Sequence, residues 1–495
     1  MGYVVTQEDI NILHQGEQEI RIKVELLNQD FKTLDSLEGV IISDNFSQDS
    51  ESIQRRTYSC DMAILDSTFI IGNDKKIWLD KRLRVYYGLR SQRSKEIIWY
   101  KLGTFCYVSM KYTYSKNQKL LALTCADLMA QYDGTLNGQL MGYGSANSSP
   151  SYTIKSLSIP AGEDIRTSII GILDLAGITN YTVEDIGKEI PYDLTFNTGS
   201  TFVDIWKKIS DLYDSWEFFF DEDGIFVWQR VPTCLEDDVI LNDEVLEGLV
   251  TNEETTCGFS GIYNVTEVWG KVLELENKDR YSSTSTYSNN TYTVAFSGYS
   301  SWDDVDNLTQ LAFKVSTTNL SYPKFSINGY AAIPIVDGDG KALEAGALEN
   351  NTIYVFRYRR SISGNFLYLL GNFQCYGRYE EKSEDCPFST TKLGYEILRS
   401  VEYDTLSDDA ACYNQAEYLT YQTTAMMDTI MLNLVVIPWL TVNKKIEYTP
   451  KYNNKKKGQY IIKNLSWNSG NGTMTMTLYK FMESFSYVYD RKYRS

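Results

Sequence analysis

Histidine is almost missing from this chain of 495 residues: His14 is the only one, within the polar stretch Gln7–Gln18. A His-based triad, a multi-His zinc site or a His-dependent peptidase would rest on that single side chain. Its polar surroundings predict an exposed surface residue. None of the eight cysteines (60, 106, 125, 234, 257, 375, 386 and 412) forms a C-x-x-C pair. The chain is too long for them to be a small disulfide framework. Cys106 and Cys125 fall in apolar strand-like runs and read as buried free thiols. Cys375 and Cys386 flank a turn-like segment, and the sequence leaves open whether they meet. The most apolar run, Ile430–Leu440, is too short to span a bilayer. The N-terminus has no basic region leading into an apolar one, so the expectation is synthesis in a cytoplasm without a standard export signal. There is also no Gly-rich phosphate loop, G-x-S-x-G elbow or H-E-x-x-H.

What is present is tyrosine: 38 residues, against only 9 prolines. Tyr favours half-buried strands and interfaces, where one end of the ring is apolar and the other stays wet. Hydrophobic residues make up 43% and charged residues 23%, which excludes a largely disordered chain. The length suggests roughly three or four domains of ~150 residues. The formal net charge of -18 makes the chain a poor general binder of duplex nucleic acid, whose affinity rests on Lys and Arg.

Period-two patterning predicts strands at Ile20–Leu27, Gly39–Ser43, Thr57–Leu65, Leu83–Gly88, Glu96–Tyr100, Thr104–Tyr114 and Lys119–Ala126, with a turn at Lys116–Gln118. Residues 1–135 thus form an N-terminal β-barrel-like unit. Residues 136–160, rich in Gly, Ser and Asn, form a linker or long loop. Residues 161–250 form a small α+β unit. In it, Asp164–Ala176 and Ser200–Tyr213 are helical. Ser200 is the expected N-cap, and Phe202, Trp206, Ile209 and Tyr213 form the inward stripe. A hairpin, Trp216–Phe220 and Ile225–Gln229, follows. Residues 251–400 are a β-rich region with an insertion, in which Asp279–Asn290 reads as a polar flexible loop. Residues 401–495 bring a helix over Asp404–Met426, capped by Ser407. They continue with strands at Thr429–Val436, Val442–Tyr448, Gln459–Trp467 and Met474–Phe481. The fold class is β-rich α+β and multidomain: two tube-like antiparallel β-barrel units with a small α+β unit between them.

The candidate chemistry is thin. Asp337-Gly338-Asp339-Gly340 has half the look of a calcium loop, but Lys341, Ala342 and Leu343 follow where ligands would be needed, and a turn is the plainer reading. Asp221–Gly224 reads as a hairpin turn. Glu236–Glu247 and Ser301–Asp306 contain close acids, which in a chain with 65 of them read first as solvated faces. Lys455–Lys457 reads as a solvated hairpin tip. No catalytic residue, cofactor site or metal site is assigned.

Two segments carry a family likeness. One is TFVDIWKKISDLYDSWEFFFDEDGIFVWQRVP, a helix, an aromatic strand, an Asp-Gly turn and a short strand ending in Pro. The other is TVNKKIEYTPKYNNKKKGQYIIKNLSWNSGNGTMTMTLYKF, with its return through Gly458–Ile462 and a final Met-Thr strand. With the order of parts, these make the chain resemble the baseplate-hub or tail-hub proteins of long-tailed bacteriophages. The resemblance implies a non-enzymatic virion protein. Its homotrimer would present six barrel units as a pseudo-sixfold ring to the tail tube. It implies a tube or distal tail protein on one side and a spike or tape-measure protein on the other, with DNA only in transit through an acidic lumen. Some such hubs carry a C-terminal peptidase or lysozyme; Glu483–Ser495 is too short for one, so wall cleavage is not expected. Two other readings stand beside this one. One is a receptor- or glycan-binding tail-tip protein with exposed aromatic patches. The other is a glycoside hydrolase, which needs a deep aromatic cleft with two acids about 5 to 9 Å apart.

Overall fold

The computed structural model describes residues 3–481, except 39, 65–68, 74, 116–118, 141–142, 145–152, 155, 191–193, 213–215, 232–237, 273–279, 300, 362–363, 373, 385, 426–427 and 452–456. The expected turn at Lys116–Gln118, Tyr213 of the helical stripe, Cys234, most of the Lys455–Lys457 run and the tail after 481 lie outside the described residues, as does the side chain of Cys257.

The chain is β-rich and multidomain. Its first unit consists of seven strands: Ile20–Leu27, Thr33–Glu38, Ile41–Asp49, Arg56–Ala63, Arg82–Arg90, Ile97–Tyr114 and Lys119–Asp127. The alternation in IRIKVELL works as period two demands: Val24 and Leu26 are buried and Arg21 is exposed. The runs Glu96–Tyr100 and Thr104–Tyr114, expected as two strands, form one 18-residue strand. A bulge opposite Val85/Tyr86 absorbs the irregular middle and keeps the ladder intact. The edge strand Thr33–Glu38 and an N-terminal helix, Gln7–Leu13, were not expected. Thr6 and Asp9 close a capping box on that helix. The Asp9 carboxylate also accepts from the Tyr3 and Tyr100 hydroxyls at 2.8 and 2.7 Å.

The second tube-like unit is assembled from distant segments: Val250–Cys257, Asp428–Val435, Lys445–Tyr448, Gly458–Asn468 and Thr473–Phe481. It is hydrogen-bonded to the first. Ile41–Asp49 pairs antiparallel with Gly458–Asn468, setting Phe46 against Trp467, with ring centroids 4.3 Å apart. One 13-stranded sheet results. It shares one core, in which Leu83, Tyr87 and Leu123 of the first unit meet Ile430, Leu465 and Met476 of the second.

The small α+β unit holds helices Ile165–Leu175 and Phe202–Ser210 over the strands Tyr181–Val183, Trp216–Phe220 and Phe226–Arg230. The cap of the second helix is Thr201, not Ser200. Its hydroxyl accepts from the Asp204 N–H while Asp204 reaches back, because Asp sits three residues after Thr201. Trp206 and Ile209 are buried as the stripe predicts, with Phe202 packed at the margin.

Between the second unit's strands lie two further sheets. Strands Val265–Val272, Gln374–Glu380 and Leu398–Glu402 form one, and eight strands from Tyr281 to Gly371 form the other, around a separate core. Asp279–Asn290 is not simply a loop: Tyr281–Ser282 and Thr286–Ser288 are the outer strands of the larger sheet. Helix Asp409–Ala425 lies on the smaller sheet through Cys412, Ala416 and Leu419. Its cap is Asp408, whose Oδ1 accepts from the Ala411 N–H at 2.8 Å; Ser407 is buried instead. Gly377 permits the close approach, since a Cβ there would stand 2.1 Å from the Tyr413 nitrogen.

Candidate functional site

The large sheet curves over its core and turns two different faces to solvent. One spans both tube-like units. A cross-strand row runs Asn433, Thr475, Ser466, Ser47, Thr57 over five strands. A neighbouring row runs Asn45, Ser59, Thr124. Each of these side chains is short, polar and uncharged, and each alternates with a buried neighbour such as Phe46, Tyr58, Leu465 or Met476. The rows support one another locally: the Thr475 hydroxyl donates to Asn433 Oδ1 at 3.0 Å. Asp49 and Asp61 are the acids of this face on Ile41–Asp49 and Arg56–Ala63, and Ser43 donates to Asp61 at 3.0 Å. The other face, on strands Ile20–Leu27, Arg82–Arg90 and Ile97–Tyr114, is charged and aromatic. Lys23 lies 4.2 Å from the Tyr86 ring centroid and 5.1 Å from that of Trp99. Arg21, Arg84, Arg90 and Lys101 share that side of the sheet.

The small α+β unit is fixed to the tube by a buried polar joint. Arg55 and Glu217 pair at 2.6 Å with side chains 4% and 7% exposed. Glu217 also accepts from Asn443 at 2.6 Å and Gln229 at 2.7 Å, so one carboxylate ties three chain segments together. Burial alone would raise the Glu217 carboxyl. The Arg55 charge and the hydrogen bonds from Asn443, Gln229 and Arg55 outweigh it and hold the group below its usual range. Next to it, Arg56 donates to the Phe220 carbonyl at 2.6 Å, and its backbone N–H donates to Asp127 at 2.9 Å. Lys101 pairs with Asp223. Sequence patterning located the hairpin Trp216–Phe220 but not this joint, because Arg55 and Asn443 lie 162 and 226 residues from Glu217.

The acidic segments close turns and caps. Asp337 Oδ1 accepts from the N–H groups of Asp339 and Lys341 at 3.0 and 2.8 Å, while Asp339 faces Asn414 at 3.3 Å and Lys188 at 3.7 Å. Asp221 Oδ1 closes the hairpin turn by accepting from Asp223 and Ile225 at 2.9 and 2.8 Å. Ser301 and Asp304 form a capping box, and Asp243 holds Thr449 at 2.7 Å. Lys457 pairs with Glu447 at 2.5 Å. Among the described residues no group of three or more His, Cys, Asp or Glu side chains is arranged to hold a metal ion. His14 is exposed at the end of the first helix. Cys375 and Cys386 are both buried free thiols and sit in different clusters. A surface recess opens between Trp269, Gln374, Ser400, Val401 and Glu402. Glu402 stands at its rim.

Residues 385–485 match a family model described as a domain of unknown function, DUF5048. A comparison with curated proteins finds no match. Among solved structures, the chain is similar to the 43 kDa tail protein of prophage MuSo2 from Shewanella oneidensis, with TM-score 0.50 and 8% identity over 93% of this chain and 98% of that one. It is also similar to a tail protein from Neisseria meningitidis MC58, with TM-score 0.47 and 8% identity over 93% and 96% of the two chains. A third is the prophage tail protein gp18 from Listeria monocytogenes EGD-e, with TM-score 0.43 and 8% identity over 96% and 98%. The chain therefore shares its fold with a prophage tail protein over nearly its whole length.

Proposed function

We propose that this protein is the hub of a phage tail or baseplate. In this role it is a structural, non-catalytic virion protein that joins the tail tube to the distal tip or spike and forms part of the channel for DNA. The observation that carries the reading is the shared tail-protein fold, together with two tube-like units hydrogen-bonded into one sheet within a single chain. Three such chains around a threefold axis supply six units, the number needed to continue a hexameric tube.

The Ser-Thr-Asn face supports a more specific assignment: it lines the channel. DNA must slide past such a wall without being held. Lys and Arg would bind phosphates and release counterions, whereas Ser, Thr and Asn offer only weak hydrogen bonds that water replaces. This differs from the acidic lumen that the family resemblance implies. Here non-adhesion comes from neutrality, with Asp49 and Asp61 adding modest repulsion. The charged and aromatic face then remains for protein contacts, where Arg and aromatics are favoured.

The test places positive charge on the row. Ser47→Lys with Ser466→Lys, introduced in the phage, should give tails of normal appearance that eject DNA slowly or incompletely. Unchanged ejection from particles with normal tails would remove the face from the channel. The glycan-binding reading of the whole protein has no comparable support in the fold.

A further inference from the structure

The outer side of the three-stranded sheet carries side chains that neither its core nor the hub assignment uses. Trp269 pairs with Glu402 on one neighbouring strand and with Tyr376 on the other. The three therefore stand side by side on one face, with the Trp269 and Tyr376 ring centroids 4.5 Å apart. Gln374, Ser400 and Val401 complete a recess of about 510 Å³, within the ~300–1,000 Å³ typical of small-molecule sites.

The backbone is shaped to aim the tryptophan. A register shift between Trp269 and Val272 sets two residues against one of the partner strand, and bulges re-aim side chains beside binding sites. The bulge requires Gly270, because a Cβ there would stand 2.6 Å from Cys412 Sγ and 2.7 Å from the Leu406 carbonyl oxygen. The indole is then fixed from its edge: Trp269 Nε1 donates to Ser400 Oγ at 3.1 Å. The Tyr376 hydroxyl donates to Glu267 at 3.0 Å, which fixes the second ring.

The polar groups around these rings are mostly acceptors. Glu402 and Ser400 are solvent-exposed. The Gln374 amide nitrogen donates to the Gly270 carbonyl at 3.4 Å, which leaves its oxygen as an acceptor. Ser400 accepts from the indole and keeps its own proton to donate. Arg378, a cation of this face, is engaged by Glu396, Glu380 and Glu267 at 2.8, 3.5 and 3.9 Å.

We propose that this recess binds a neutral saccharide. A sugar ring presents a C–H face of positive polarity, which matches the negative face of an indole. Its hydroxyl groups donate to Glu402 and Gln374, the former a charge-assisted bond, and one of its oxygens accepts from Ser400. Anionic ligands are disfavoured by Glu402 and Glu267. The assignment does not depend on the hub reading, since it concerns one sheet face within a single chain.

Saturation-transfer NMR on the full chain tests it, with maltotriose and triacetylchitotriose as neutral probes. The expected result is transfer to the ring protons of at least one probe at millimolar concentration. Trp269→Ala should weaken it tenfold or more and Glu402→Gln several-fold, while Tyr322→Ala on the distant eight-stranded unit leaves it unchanged. No transfer to either probe overturns the proposal, as does transfer that survives Trp269→Ala. If circular dichroism shows Trp269→Ala to be misfolded, Ser400→Ala/Glu402→Gln carries the test, and wild-type affinity in that variant overturns it. Binding of a tetralysine peptide with no response to either sugar also overturns it, in favour of a cationic partner.

Discussion

Glu217 shows how much one carboxylate can hold in place. It accepts from Arg55, Asn443 and Gln229, residues of the first unit, the second unit and its own hairpin. Removing one member of a buried ion pair typically costs about 3–5 kcal/mol, since the other charge is left without compensation. Glu217→Ala should therefore destabilise the joint by about that amount, read from urea unfolding; a loss below ~1 kcal/mol would mean that water replaces the pair. Its depressed carboxyl gives stability that is present above the unfolded value near 4.5 and is lost as pH falls below it. Asp409 behaves in the opposite way. Burial pushes its carboxyl up to about 7 against the hydrogen bond from the Tyr376 N–H, and adjacent Asp408, itself pushed up to about 6, adds to the rise. A raised carboxyl favours the protonated folded form, so stability declines as pH rises from about 4 through 7. Asp409→Asn keeps the acceptor for Tyr376 and removes the charge. The melting temperature of this variant should exceed that of the wild type at pH 8 and converge with it near pH 4. Parallel melting curves across that range would show that Asp409 is solvated.

At the scale of elements, the pairing of Ile41–Asp49 with Gly458–Asn468 decides whether the two tube-like units act as one. Trp467 packs on Phe46 across that seam. Trp467→Ala should cost about 3–5 kcal/mol as a core truncation. Because the core is shared, it should lower the melting of both units together in calorimetry, leaving the separately cored eight-stranded unit unmoved. Two tube transitions, only one of them shifted, would contradict a common core. One strand of this seam was legible in the sequence, Gly458–Asn468 as Gln459–Trp467, while of the other only Gly39–Ser43 was, short of Phe46–Asp49 where the two pair. Their pairing was not, because residues 46 and 467 carry no local signal for each other. Caps were displaced for a related reason. Ser200 and Ser407 look right by residue type, but Thr201 and Asp408 have the partner N–H three residues on. The recess beside Trp269 was illegible as well, since it depends on a bulge and on three strands drawn from residues 265–402.

On the scale of the whole molecule, a shared tail-protein fold is combined with one sheet built from both ends of the chain and two solvent faces of unlike chemistry. The neutral Ser-Thr-Asn face suits passage of DNA, and the Arg-Lys-aromatic face suits contact with neighbouring proteins. The channel assignment needs a ring, because several copies are required to enclose a channel. The most direct test is therefore the mass of the purified full chain in solution by light scattering, with particle images of the same peak. The account predicts three times the 56.7 kDa chain mass and a threefold ring whose opening is lined by the row from Asn433 to Thr57. A monomer across the accessible concentration range, with no ring in the images, would contradict it.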